Sequence, residues 1–332
     1  MAHELEIQNG EAAMFYVGDT PWHKLGTRLP LNPTPEDAIA AAKIDWTVSL
    51  KKLVTEDGTS VPGKMATVRD SDGKVLGVVG KDWRVFQNKD AVEWFRPLIE
   101  QGNVTLETAG SLRGGRRIWV LGRLTGVETR DVVPGDPVNP YIQLANGHDG
   151  SLAIHLGFTC IRTVCANTLA MSMDRKNSKL LKIRHTKTSQ EAVDNVREIM
   201  MAANQTFEAS VEKYKALARL GVTKESLRKY VDLVFEIDAK KAQAKTDEDR
   251  QKAAAVSERL YQKVVPLFEK GRGNDAPGVA GTMWGAYNAI TEFLAYGRGR
   301  NDSTRLDSLW FGDAANINAR ALEMGLTLKK AA

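Results

Sequence analysis

Four arginines, Arg113, Arg116, Arg117 and Arg123, fall within "SLRGGRRIWVLGRL", residues 111–124, around the glycine pair Gly114–Gly115. Guanidinium forks match phosphate oxygens better than ammonium groups do, and glycines let a loop bring its backbone N–H groups close to an anion. Strand alternation puts Arg117 and Trp119 on one face, and Arg116 and Ile118 on the other. A base stacked on Trp119 gains about 1–3 kcal/mol while Arg117 holds its phosphate. The competing reading is a solvated edge hairpin, protected from aggregation by its charges, with a core tryptophan.

A second group lies in "GFTCIRTVCANTL", where Arg162, Thr163 and Asn167 fall at an expected strand-to-helix passage, with the helix opening near Cys165 or Ala166. A helix N-terminus beside an arginine is an anion-binding geometry. Cys165 could be activated there, but no Cys–His system accompanies it. Cys160 and Cys165 read instead as small buried side chains of a reducing compartment. Downstream, "MDRKNSKLLKIRH" adds Arg175, Lys176, Lys179, Lys182 and Arg184, which either track a nucleic-acid strand or coat an exposed connection. His148, Asp149 and His155 have no spacing suited to zinc, and "NGHDG" is ordinary turn chemistry. No paired-acid nuclease signature, P-loop or GxSxG stands in the chain. The expectation is a protein without enzymatic activity, cofactor or metal.

Charge distribution supports a local anion-binding face. The chain carries +5 overall, but residues 111–187 hold 12 Lys/Arg against 5 Asp/Glu, or +7. Apolar residues at 42% and charged residues at 26% are ordinary for a globular protein. No apolar run approaches the roughly 18 residues that span a bilayer. The N-terminus lacks the basic start and apolar core of a signal peptide. A cytoplasmic protein with no membrane partner is expected.

These groups need elements to position them. "DWTVSLKKLVTEDGTSVPGKMATVRDSDGKVLGVVG" reads as strands joined by turns at "EDG" and "SDG". "NKDAVEWFRPLIEQG" has helical spacing and a stop at Gly102. Residues 104–124 read as a hairpin, and "NGHDG" links two further strands. Beyond residue 187 the pattern becomes helical. A long amphipathic helix, capped at Thr188 or Ser189, ends at Gly221, and another opens at Thr223-x-x-Ser226. Residues 239–256 are charge-rich and read as a mobile excursion. "TMWGAYNAITEFLAYG" and "TRLDSLWFGDAANINARALEMG" form the closing helices, with Trp284, Tyr287, Phe293, Tyr296, Trp310 and Phe311 as core or subunit contacts. The expected fold is α+β, a strand-rich N-terminal half with one or two helices followed by a helical C-terminal half. The expected domains are residues 1–187 and 188–332.

"PWHKLGT" (21–27), "LGVVGKDWRVFQN" (76–88), "HDGSLA" (148–153), "RTVCANTL" (162–169), "TMWGAYNAITEF" (282–293) and "RLDSLWFGDAANINARAL" (305–322) together resemble a phage- and plasmid-encoded family of unknown function. Trp83 stands where that family has a tyrosine. At fold level the chain also resembles the single-strand annealing proteins of the RecT and eukaryotic annealing-mediator type. That resemblance implies a homo-oligomer, ring-shaped in such proteins, aligning single-stranded DNA in recombination or replication. Its expected contacts are Arg113, Gly114, Gly115, Arg116, Arg117, Trp119, Arg162, Asn167, Lys179 and Lys182. The alternative is a phage protein-interaction or counter-defence protein acting through its helical half.

Overall fold

The computed structural model describes residues 5–18, 25–162, 167–169, 196–298 and 305–328. Its centre is an eight-stranded sheet, formed by β3 (Met14–Val17), β4 (Thr27–Leu29), β8 (Val104–Leu112), β9 (Arg117–Leu124), β10 (Arg130–Asp131), β11 (Pro137–Gly147), β12 (His155–Arg162) and β13 (Asn167–Leu169). The order is β13-β12-β11-β9-β8-β3-β4, with β10 also paired to β11. Neighbours are antiparallel except β3 and β4. The N-terminal β1 (Ile7–Gln8) and β2 (Glu11–Ala12) form a small ribbon beside it.

A separate three-stranded sheet contains β5 (Val48–Val54), β6 (Ser60–Arg69) and β7 (Val75–Gly80). Its turns fall at the "EDG" and "SDG" signals, where Gly58 and Gly73 take positive φ. Helix α1 (Pro35–Ala41) starts at a Thr34–Asp37 capping box. The expected helix over 88–101 is two short ones, α2 (Asn88–Glu93) and α3 (Arg96–Glu100), because Pro97 requires a fresh helix start.

The helical half contains α4 (Val196–Ala218), α5 (Lys224–Val234), α6 (Ile237–Gln243), α7 (Asp247–Lys270), α8 (Met283–Glu292), α9 (Arg305–Phe311) and α10 (Asp313–Leu328). Thr223 caps α5 through Ser226, as the sequence indicates. The 239–256 segment is helical rather than an excursion. It holds the end of α6 and the start of α7, which Thr246 caps by accepting from the Asp249 N–H. Every third or fourth residue of α7 from Ala253 to Phe268 is buried, which compensates the weakly apolar sequence. The closing helix is divided at Gly312, where a Cβ would stand 2.9 Å from the Ser308 Cα. The α+β class, strands first and helices after, is therefore what the chain adopts.

One face of the central sheet joins a single apolar core that reaches from Phe15 and Ile44, through Ile118, Ile142 and Phe158, to Phe207, Trp284 and Leu322. The core thus runs through both halves of the chain. The opposite face buries a smaller cluster of Leu5, Met14, Leu112, Trp119 and Ala145, against which Trp310 and Phe311 pack.

A buried ion pair joins sheet to helices. Arg162, at the end of β12, donates from Nε to Asp136 Oδ1 at 2.7 Å, and both side chains are almost wholly buried. Its Nη groups donate to the Gly273 carbonyl (2.8 Å) and to the Arg272 carbonyl and Asn274 Oδ1 (both 3.2 Å), all beyond α7. Trp284 Nε1 of α8 donates to the other Asp136 oxygen at 2.7 Å. With every donor satisfied the desolvated charges persist, but removing one partner strands the other. Arg162→Ala therefore lowers unfolding stability by about 3–5 kcal/mol, to be measured as a fall in the urea midpoint with an unchanged m-value.

Candidate functional site

The hairpin of β8 and β9 closes in register at Leu112 opposite Arg117, which leaves Arg113–Arg116 as its connection. Arg113, Gly114 and Gly115 all take positive φ, at 54°, 64° and 91°. The left-handed region is cheap for glycine and costs an arginine roughly 1–2 kcal/mol. The connection is anchored on two sides. The His148 N–H donates to the Arg116 carbonyl, and the Glu6 N–H donates to the Ser111 carbonyl.

Three segments then enclose an open cleft of about 1050 Å³, namely residues 5–9, the β6–β7 turn and the hairpin connection. Its cations are Arg69, Lys74, Arg113 and Arg116, and its carboxylates are Glu6 and Asp72. Arg69 is committed to the wall. It donates from Nη1 to Glu6 (2.5 Å) and in a fork to Asp72 (3.0 and 2.6 Å), and its guanidinium lies 5.1 Å from the Trp46 ring centre. This fork holds the Asp72 carboxyl below the usual carboxylate range. Ser111 donates to the second Glu6 oxygen at 2.8 Å. With these two acids bound to Arg69, Lys74, Arg113 and Arg116 give the cleft its outward positive field.

Gly114 and Gly115 are required by φ, and Gly115 by contact as well. A Cβ on Gly114 would collide with the Lys74 ammonium. One on Gly115 would stand 3.1 Å from Arg69 Nη1, 3.3 Å from Leu76 and 3.5 Å from Trp46. The Lys74 charge thus rests directly on the hairpin backbone.

The sequence-expected set divides here. Arg113, Gly114 and Arg116 line the cleft, with both arginines exposed, whereas Gly115 is buried behind it against Arg69, Leu76 and Trp46. Arg117 and Trp119 do share a face, as alternation requires, but it is a buried face. Arg117 is 9% exposed, donates to Ser151 Oγ at 3.0 Å and lies 6.0 Å from the Phe311 ring. Trp119 is fully buried. Its ring lies across Gly110 of the neighbouring strand and 5.4 Å from the Trp310 ring, so no π-face is left for a base. Arg162 is fully buried in its ion pair and points away from any surface.

The expected helix start near Cys165 or Ala166 lies outside the described residues. Where that helix would continue, Asn167–Leu169 form β13, paired antiparallel to β12 with Asn167 opposite Arg162. Thr168 is β-branched and favours this extended pairing. No helix terminus therefore presents Asn167 to an anion. Lys179 and Lys182 lie outside the described residues, as does Cys165.

The histidine group is equally dispersed. His148 is buried, with Nε2 2.8 Å from Asn88 Oδ1 and its ring 5.4 Å from Trp46. Asp149 accepts from the Ser151 backbone and hydroxyl, and His155 packs edge-on to Phe311. Among the described residues no three His, Cys, Asp or Glu side chains gather to hold a metal ion. Cys160 is buried, and burial pushes its thiol well above the ordinary value. No helix among the described residues is long and apolar enough to cross a membrane.

Sequence reasoning missed Lys74 and the Glu6–Arg69–Asp72 wall. The available signal was "RDSDGK", a tight turn with a cation at its exit, but its proximity to residues 113–116 depends on tertiary packing.

Residues 75–310 match the domain of unknown function DUF932, and the chain belongs to that family. No curated protein and no solved structure matches it.

Two substitutions separate strain from charge at the connection. Arg113→Gly relieves the left-handed arginine and raises stability by about 1 kcal/mol. Gly115→Ala adds strain and a contact with the Arg69–Trp46 stack, and lowers stability by at least as much. Paired urea titrations check both, and opposite signs are expected.

Proposed function

We propose that the protein binds single-stranded DNA through the cleft at the β8–β9 connection. The observation that carries this reading is the convergence of exposed Lys74, Arg113 and Arg116 on a glycine-flanked backbone turn. Phosphates are held by such cations together with nearby backbone N–H groups, and a flexible strand can enter a concave, open site. Arg69 positions the wall, and the buried Arg117, Trp119 and Arg162 shape the scaffold without touching the strand.

A homo-oligomer that aligns strands for annealing extends this reading, by analogy at the level of fold with the RecT-type annealing proteins. Its action in recombination or replication belongs to the same proposal. Several copies of one short cleft placed side by side would provide the continuous track that annealing requires.

Fluorescence anisotropy with a labelled oligonucleotide tests the binding. Affinity falls steeply between roughly 50 and 200 mM salt, because phosphate neutralisation releases counterions. Lys74→Ala with Arg116→Ala weakens binding and flattens the salt slope by about 1.4 units in the log–log plot, with an unchanged melting temperature. Salt-independent or absent binding refutes the proposal. Light scattering with and without oligonucleotide tests the assembly, and a strict monomer in both conditions removes annealing from the reading.

A further inference from the structure

The cleft at the β8–β9 connection is polarised across its width. One side is built by the β6–β7 turn and the hairpin connection, and it holds every cation of the lining, Arg69, Lys74, Arg113 and Arg116. The facing side, residues 5–9, contributes Glu6 and four uncharged side chains. Arg69 is taken up by Glu6 and Asp72. Unlike it, neither the Lys74 ammonium nor the Arg116 guanidinium is hydrogen-bonded to a carboxylate among the described residues. The Lys74 ammonium rests on Gly114, inside the Arg113–Arg116 connection. The outward charge is thus gathered at one turn and not strung along a groove.

The facing wall is uncharged where it is most exposed. Ile7 lines the cleft with 38% of its surface accessible, an apolar side chain opposite the cations. Its ribbon is held in place, because the Glu6 N–H donates to the Ser111 carbonyl and Gln8 Nε2 donates to the Lys43 carbonyl at 3.2 Å. The size is that of a site for one small ligand. About 1050 Å³ lies at the upper end of the roughly 300–1,000 Å³ of small-molecule pockets. Modules that hold a strand along its length cover about 4–16 nucleotides and add aromatic stacking platforms. Among the described residues no Phe, Tyr or Trp lines this cleft.

We propose that the cleft seats the phosphorylated end of a strand, with the terminal phosphomonoester on Lys74, Arg113 and Arg116 and its nucleoside against Ile7. A terminal phosphomonoester carries about 1.5–2 negative charges and three acceptor oxygens at neutral pH. An internal phosphodiester carries one charge and two unesterified oxygens. Cations gathered at one point therefore gain more from the terminal group, and arginine forks match its oxygens. The proposal rests on single-stranded DNA being the ligand, and it specifies which part of the strand the cleft holds most tightly. In an assembly, the copy at the terminus takes the phosphomonoester and its neighbours hold phosphodiesters.

Fluorescence anisotropy tests it with three oligonucleotides of one sequence, labelled at an internal base and compared at one salt concentration. One carries a 5′-phosphate, one a 3′-phosphate, and one hydroxyls at both ends. A phosphorylated strand binds about tenfold more tightly than the strand with hydroxyl ends, the size of an added charge-assisted contact. The arm that gains identifies the end that is seated. Lys74→Ala removes most of that gain, with an unchanged melting temperature because the side chain is exposed. Equal affinities of the three strands, or a gain that Lys74→Ala keeps in full, overturn the end site while the DNA reading stands.

Failure of all three strands to bind overturns the DNA reading itself. Titration of the wild-type protein with thymidine 5′-monophosphate, thymidine 3′-monophosphate and thymidine, followed at the Gly114 amide by NMR, then decides the pocket independently. Shifts with a monophosphate and none with thymidine support a phosphomonoester site. No shift, or an equal shift with thymidine, rejects it.

Discussion

The buried pair Arg162–Asp136 is the constraint on which the arrangement of the molecule depends. Asp136 lies just before β11 and Arg162 ends β12, so the pair fixes one end of the central sheet. The same two side chains reach the loop after α7 and the indole of α8. Charges removed from water must find well-oriented partners, and here the partners come from segments distant in the chain. Sheet and helices therefore share one position as well as one apolar core. Apolar packing alone tolerates sliding, whereas five directional hydrogen bonds do not.

That requirement changes the meaning of the basic middle segment. A +7 balance over residues 111–187 describes the chain and not its surface. Arg162 is neutralised inside, and Arg117 lies under Phe311. Arg69, from outside that segment, is bound to two carboxylates. What faces outward at the hairpin is smaller and more local, a lysine and two arginines over a left-handed turn. The strain at Arg113 persists because both strands, the His148 amide and the N-terminal segment hold the turn from all sides. A cleft so fixed offers its cations without first having to be ordered, which favours binding of a flexible polyanion.

Local signals were the legible ones. The turns at "EDG" and "SDG", the Thr223 cap, the β8–β9 hairpin and the change from strands to helices all depend on a few neighbouring residues. Three residues of the cleft were legible for the same reason, since Arg113, Gly114 and Arg116 belong to one short connection. The errors share a different cause. Whether Arg162 faces solvent is decided by Asp136 and by backbone more than a hundred residues away, and whether Trp119 is a platform is decided by Trp310 and Gly110. Nothing near Lys74 in the chain predicts that its ammonium rests on Gly114. The strand after β12 carries no legible signal, because alternation over three residues is too short to outweigh a helix-like continuation.

Amide hydrogen exchange, with and without an oligonucleotide, tests the central claim most directly. Binding at the cleft slows exchange in residues 5–9, 69–74 and 111–117 together, because these segments form its walls. Protection confined to other regions, with those three unchanged under saturating oligonucleotide, would contradict the account.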